Sequence, residues 1–141
     1  MTERTAEEWG RVAVSLPGWR WMPGMLSRCS TDTRRAVYRW LVGLDTRHYG
    51  LVCIVQDKHG RPCRKVATLQ PGPDDLPDPD DPATAGCLLA LLGSGVRVWM
   101  DGADDLWTVE VGGVRASMHA TLGRACIAAA EALGRWPGGG A

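Results

Sequence analysis

A chain of 141 residues has the length of one ordinary domain and can bury a core without disulfides or a structural metal. Its apolar fraction of 45% and charged fraction of 23% are those of a globular protein and exclude a disordered or fibrous chain as the default. Sixteen Lys/Arg balance sixteen Asp/Glu, yet residues 1–70 hold twelve cations and six anions while residues 71–141 hold four and ten, so the neutral total conceals two oppositely charged halves.

In chain order, Thr5-Ala-Glu-Glu8 reads as a capping box. Trp9, Val12, Ala13 and Leu16 follow at helical spacing, which predicts a helix near 6–16 ended by Pro17-Gly18. The next segment predicts a short strand over 18–26, with Trp19 and Trp21 on one face and a type II turn at Met22-Pro-Gly-Met25. Residues 34–44 alternate through Tyr38, Trp40, Val42 and Leu44, which predicts a strand. A helix capped by Ser30 or Asp32 is the alternative, because Val37, Leu41 and Leu44 also fit a helical face. Leu51–Gln56 is rich in β-branched residues and predicts a strand. Asp57-Lys-His-Gly60 reads as a turn, with Gly60 in a left-handed position, before a returning strand over 61–69.

The Pro/Asp-rich segment 70–80 reads as a solvated connector, the best internal boundary of a single α+β domain over 1–135. Asp81-Pro82 then opens a helix through Cys87, Leu88, Leu91 and Leu92 that stops at Gly93. Val96–Met100 and Leu106–Val111 form a hairpin around Asp101-Gly102, and Gly112-Gly113 turns the chain into a strand over 114–117. A last helix over 119–134 buries Leu122, Cys126, Ala129, Ala130 and Leu133, leaving 136–141 as a flexible tail. The whole is an α+β fold: an antiparallel sheet flanked by helices, in the order helix, β-meander, helix, three strands, helix.

Cys29, Cys53, Cys63, Cys87 and Cys126 are odd in number and contain no C-x-x-C, the pattern of reduced thiols rather than a disulfide framework. The opening MTERTAEEWG lacks the basic-then-apolar plan of a signal peptide, and no apolar run is long enough for a bilayer. A cytoplasmic location is expected, with no membrane partner.

Chemistry-bearing motifs are sparse. His48, Cys53, His59 and Cys63 lack the closely paired spacing of zinc ligands. Their reading is core thiols beside a surface histidine, so no metal is expected. The acidic run Asp74, Asp75, Asp78, Asp80, Asp81 is broken by prolines and lacks the glutamate of a calcium loop. It reads as a solvated linker, with mimicry of a phosphate backbone as the alternative. No nucleophile–base signature, phosphate loop or dinucleotide fingerprint occurs, so neither catalytic residue nor cofactor is expected. The closing order of helix, three strands and helix is that of a double-stranded-RNA-binding domain. Here Met118-His119-Ala120 stands where such a domain needs lysines, and only Arg124 follows.

Leu16-Pro-Gly-Trp-Arg-Trp-Met-Pro-Gly-Met and Leu76-Pro-Asp-Pro-Asp-Asp-Pro-Ala-Thr-Ala-Gly-Cys-Leu-Leu-Ala-Leu-Leu, with the Trp-containing hairpin and Ala-rich helix that follow, resemble small bacteriophage and prophage proteins of the phage ABA-sandwich type. The resemblance covers about the first 26 and last 66 residues and leaves residues 27–70 unmatched. It implies a phage gene and helix–sheet–helix layering. The family has no established activity, so no catalytic residue carries over.

The function expected is that of a non-enzymatic phage accessory protein that binds a host protein or protein complex. Its concrete form is an inhibitor of a bacterial defence system, of the anti-CRISPR kind. The alternative is a nucleic-acid-binding module using the basic half. Seven tryptophans suit either a core or interface anchors. The candidate contact residues are Trp19, Arg20 and Trp21 beside the Pro-Gly turn, with Arg34, Arg35, Arg61 and Arg64 for charge.

Overall fold

Helix α1 (Ala6–Ser15) begins as its capping box dictates: the Thr5 hydroxyl accepts from the Glu8 N–H at 3.2 Å, and the Glu8 carboxylate accepts from the Thr5 N–H at 2.8 Å. Its buried face is Trp9, Gly10 and Ala13. The computed structural model describes residues 3–22, 24–29, 37–42, 51–56, 62–63 and 75–139, with backbone alone for 28–29 and for 37–63. The expected turn, hairpin bulge and strand continuation at 57–61 and 64–69 lie outside the described residues.

The segment 19–22 forms no strand, contrary to the alternation of its tryptophans. Met25 N–H donates to the Met22 carbonyl at 3.2 Å and Gly24 sits at φ 98°, as the type II turn requires. The strand begins only after this turn, as β1 (Leu26–Cys29). Residues 37–42 are strand β2 and residues 51–56 strand β3, followed by the two-residue β4 at Pro62–Cys63. The choice between strand and helix at 34–44 is made by pairing, because β2 lies between β1 and β3 and bonds to both.

The described part of the Pro/Asp-rich segment, from Asp75, is not a solvated connector. Asp75–Pro77 is strand β5, antiparallel to β1, and residues 76–79 are buried. A five-stranded sheet results, in the order β4-β3-β2-β1-β5. Proline lacks the N–H for a second ladder, so Pro62 and Pro77 both stand on its edge strands.

Helix α2 (Pro82–Leu92) is capped by the Asp81 carboxylate, which accepts from the Thr84 N–H at 2.9 Å; the helix ends at Gly93. Thr84 is wholly buried and joins helix to sheet: its hydroxyl donates to Asp81 at 2.9 Å and accepts from the Leu26 N–H at 2.8 Å. Thr84→Val keeps the shape and removes both bonds. It should cost about 1–3 kcal/mol, the desolvation of a stranded backbone N–H, read as a lower urea midpoint with an unchanged slope.

A second sheet follows, with β6 (Arg97–Asp101), β7 (Leu106–Val111) and β8 (Val114–His119) in sequence order. Gly112 and Gly113 at φ 57° and 81° supply the left-handed pair that a two-residue hairpin demands. Strand β8 runs two residues past the expected end because it bulges. Trp107 opposes His119 and Val109 opposes Ala116, so Ser117 and Met118 together face Thr108, with Met118 at φ 65°. The bulge brings His119 edge-on to Trp9, with ring centroids 5.6 Å apart. Helix α3 accordingly starts late, at Leu122 rather than 119, capped by Thr121 and closed by left-handed Gly134.

Leu88, Leu91, Leu92, Val109, Ala125, Cys126, Ile127, Ala129 and Ala130 form the core between α2, α3 and the second sheet, joined by Trp9, Ala13 and Met25. The chain end is part of it. Trp136 is 1% exposed, its indole N–H donates to the Ala13 carbonyl at 2.9 Å, and its backbone N–H reaches the Pro17 carbonyl at 2.8 Å. A 3₁₀ turn at Pro137–Gly139 then packs on α2. The flexible tail expected from residue 136 thus begins as a core residue. Among the described residues no helix is long and apolar enough to cross a membrane.

Candidate interaction surface

Trp19 and Trp21 meet edge to face at 5.5 Å, and Trp19 also lies 6.0 Å from Trp136. Both are half-buried against the core, and the Trp19 indole N–H is buried with no acceptor among the described residues. The pair packs against the core beside the chain end. Arg20 between them is exposed. Arg34, Arg35, Arg61 and Arg64 lie outside the described residues, as do the side chains of His48, Cys53, His59 and Cys63.

Within the acidic run, Asp78, Asp80 and Asp81 are engaged by the fold, and Asp74 lies outside the described residues. Asp81 caps α2, Asp78 is buried and accepts from the Asp80 N–H at 3.0 Å, and Asp80 receives Arg124 in a two-pronged pair at 2.9 Å each. Thr121 donates to the same Asp80 oxygen at 2.9 Å. Arg124 is therefore bound in a bidentate carboxylate pair, and its hydrogen bond to Asp80 raises its pKa further. The cation where an RNA-binding domain would grip phosphate is committed internally to Asp80.

No group of three or more His, Cys, Asp and Glu converges on a possible metal position among the described residues. An open depression at the start of α1, lined by Glu3, Arg4, Thr5, Glu8, Arg11 and Val12, holds charges already paired: Arg4 with Glu131 and Arg11 with Glu7, both at 2.8 Å. Burial, opposed by the Glu3 charge and helped by that of Arg124, lowers the His119 pKa. Burial pushes the Cys126 thiol up to about 12, and burial followed by the Asp81 charge raises Cys87. Neither cysteine is an activated nucleophile. In the folded chain Cys126 should resist a thiol-labelling reagent at neutral pH and react only in denaturant, as mass spectrometry of labelled peptides would record. Native-state labelling of Cys126 would contradict the packing of α3.

What the sequence did not single out is β6. All five of its residues are exposed, including Val98 at 36%, Trp99 at 40% and Met100 at 44%. The reason is geometric. Val98 pairs with Val109 and Met100 with Trp107, so both point to the core side of the sheet. Helix α3 packs on β7 and β8, and β6 overhangs it. On the opposite face Arg97 and Trp99 alternate with them. There the Arg115 guanidinium lies 5.3 Å over the Trp99 ring, and Glu110 receives Arg115 at 2.7 Å and Arg97 at 3.7 Å. This face is a preordered arrangement of one indole, two guanidiniums and one carboxylate. Met118 on the bulge, 52% exposed, adds apolar surface. Comparison with protein-family models, curated proteins and solved structures finds no match for this chain.

Proposed function

We propose that the protein acts by binding rather than by catalysis. It is an accessory protein, encoded by a phage on the resemblance noted in its sequence, that engages a host protein in the bacterial cytoplasm and blocks a defence system. The observation that carries the binding reading is Trp99, exposed on the outer sheet face and held beneath Arg115. Tryptophan and arginine are the residue types that dominate protein interfaces, and a side chain already ordered loses little entropy on docking. The contact is with protein: the guanidiniums on this face are paired with Glu110, an arrangement suited to a polar rim and not to a row of phosphates.

The immobilised chain, incubated with host lysate, should retain a protein whether or not nuclease is present. Trp99→Ala should weaken that capture by at least about 2 kcal/mol, roughly thirtyfold in affinity, with the circular-dichroism spectrum unchanged. Retention lost on nuclease treatment, or indifferent to Trp99→Ala, would overturn the reading.

A further inference from the structure

We propose that the protein is a homodimer in which β6 of one copy pairs antiparallel with β6 of a second, joining two three-stranded sheets into one of six strands. This goes beyond the host-binding reading and does not depend on it, because it rests on the free strand edge and engages Arg97 and Asp101 at its ends, leaving Trp99 and Arg115 open.

The four sheet edges differ in a telling way. An edge strand offers a row of unpaired N–H and C=O groups to any passing strand, and stable monomers blunt it with proline, bulges or covering elements. Strand β5 ends on Pro77, β4 begins on Pro62, and β8 carries the bulge at Ser117 and Met118. Strand β6 has none of these. It keeps regular register with β7 through five consecutive residue pairs, contains no proline, and leaves Val98 and Met100 uncovered beyond α3.

The occupant is named by the strand's own sequence. Arg97-Val-Trp-Met-Asp101 is self-complementary about its central residue. In an antiparallel pair with its two-fold axis at Trp99, Arg97 faces Asp101 of the other copy and Asp101 faces Arg97. Val98 faces Met100, and Met100 faces Val98. Opposite charges directly across a strand pair attract, and a two-fold contact requires this reciprocity. Residues 97, 99 and 101 share the outer face and 98 and 100 the inner one. The ion pairs therefore form on the solvated side, while the aliphatic pairs close the overhang beside α3. Trp99 and Arg115 stay on the outer face of the joined sheet, available to another partner.

Sedimentation of the full chain across the micromolar range tests the pairing. The native chain should sediment at twice the chain mass. Arg97→Asp alone, or Asp101→Arg alone, sets like charges opposite at both ends of the strand pair and should give monomers. An equimolar mixture of these two variants places every carboxylate opposite a guanidinium again and should restore the dimer, as should the double variant Arg97→Asp/Asp101→Arg. Restoration also shows that neither substitution unfolds the chain, a needed control because the Asp101 carboxylate accepts from the Ala103 N–H in the adjoining turn. A monomeric native chain, single variants that remain dimeric, or a mixture that fails to pair would each overturn the proposal. A dimer that captures nothing from lysate would sink only the host-binding reading, and a monomer that captures protein through Trp99 would sink only the dimer.

Discussion

Trp136→Ala should be the most damaging single truncation at the chain end, lowering stability by about 3–5 kcal/mol, as removal of a buried tryptophan does. Two effects add. The ring fills space among α1, Trp19 and the core, so its removal leaves a cavity lined by groups that cannot all collapse inward. Its indole N–H also satisfies the Ala13 carbonyl, one of the last four carbonyls of α1 that the helix itself cannot pair. Trp136→Phe separates the two, because it retains most of the ring and strands the carbonyl, and it should cost about 1–3 kcal/mol. A domain of this size is stable by only about 5–15 kcal/mol, so the alanine variant should show a much lower urea midpoint and partial unfolding at growth temperature. Deleting residues 136–141 should do the same. A midpoint indifferent to either change would mean that the chain end is dispensable and that α1 is sealed by something else.

That residue marks where the sequence stops being readable. Helix starts are legible because capping is local. Thr5 with Glu8, and Asp81 with Pro82, each name a first turn within four residues, and the structure keeps both. Gly93, Gly112-Gly113 and Gly134 name ends and turns for the same reason. Long-range placement is not written locally. Pro137 and a run of glycines resemble any frayed terminus, and nothing nearby reveals that Trp136 has a carbonyl waiting at Ala13. Strand β5 was hidden by its prolines, which argue against a strand except at an edge, and edges are known only once the sheet order is known. The same ignorance hides which side chains reach the surface. Val96–Met100 reads only as one strand of a hairpin, and Trp19 and Trp21 beside a rigid turn suit either core or contact. Which strand of a hairpin overhangs its helix depends on where α3 lands. That depends on the bulge at Ser117 and Met118, which no residue type announces.

Two helical glycines should respond to alanine with opposite signs. In a helix interior glycine is worse than alanine by up to about 1 kcal/mol, because it surrenders more backbone entropy. Gly86 lies on the exposed side of α2, and a Cβ built there meets nothing. Gly86→Ala should therefore stabilise by most of that amount. Gly123, at the second position of α3, is buried, and a Cβ there would overlap the Pro79 carbonyl oxygen and carbon. The obstacle is backbone held from both sides: Pro79 lies two residues past the end of β5, and the cap residue Thr121 and Arg124 of α3 clamp the neighbouring Asp80. Relief requires lifting the first turn of α3 off this turn, which would stretch the clamp and disturb the packing of Cys126 and Ile127 below. Gly123→Ala should thus destabilise by about 1–3 kcal/mol or more, as overpacking does, despite its better helix propensity. Chemical denaturation of both variants against the native chain measures the pair of signs. If Gly123→Ala stabilised as much as Gly86→Ala, the close approach of α3 to the Pro79–Asp80 turn would be wrong, and with it the Arg124–Asp80 clamp that removes this arginine from any phosphate-binding role.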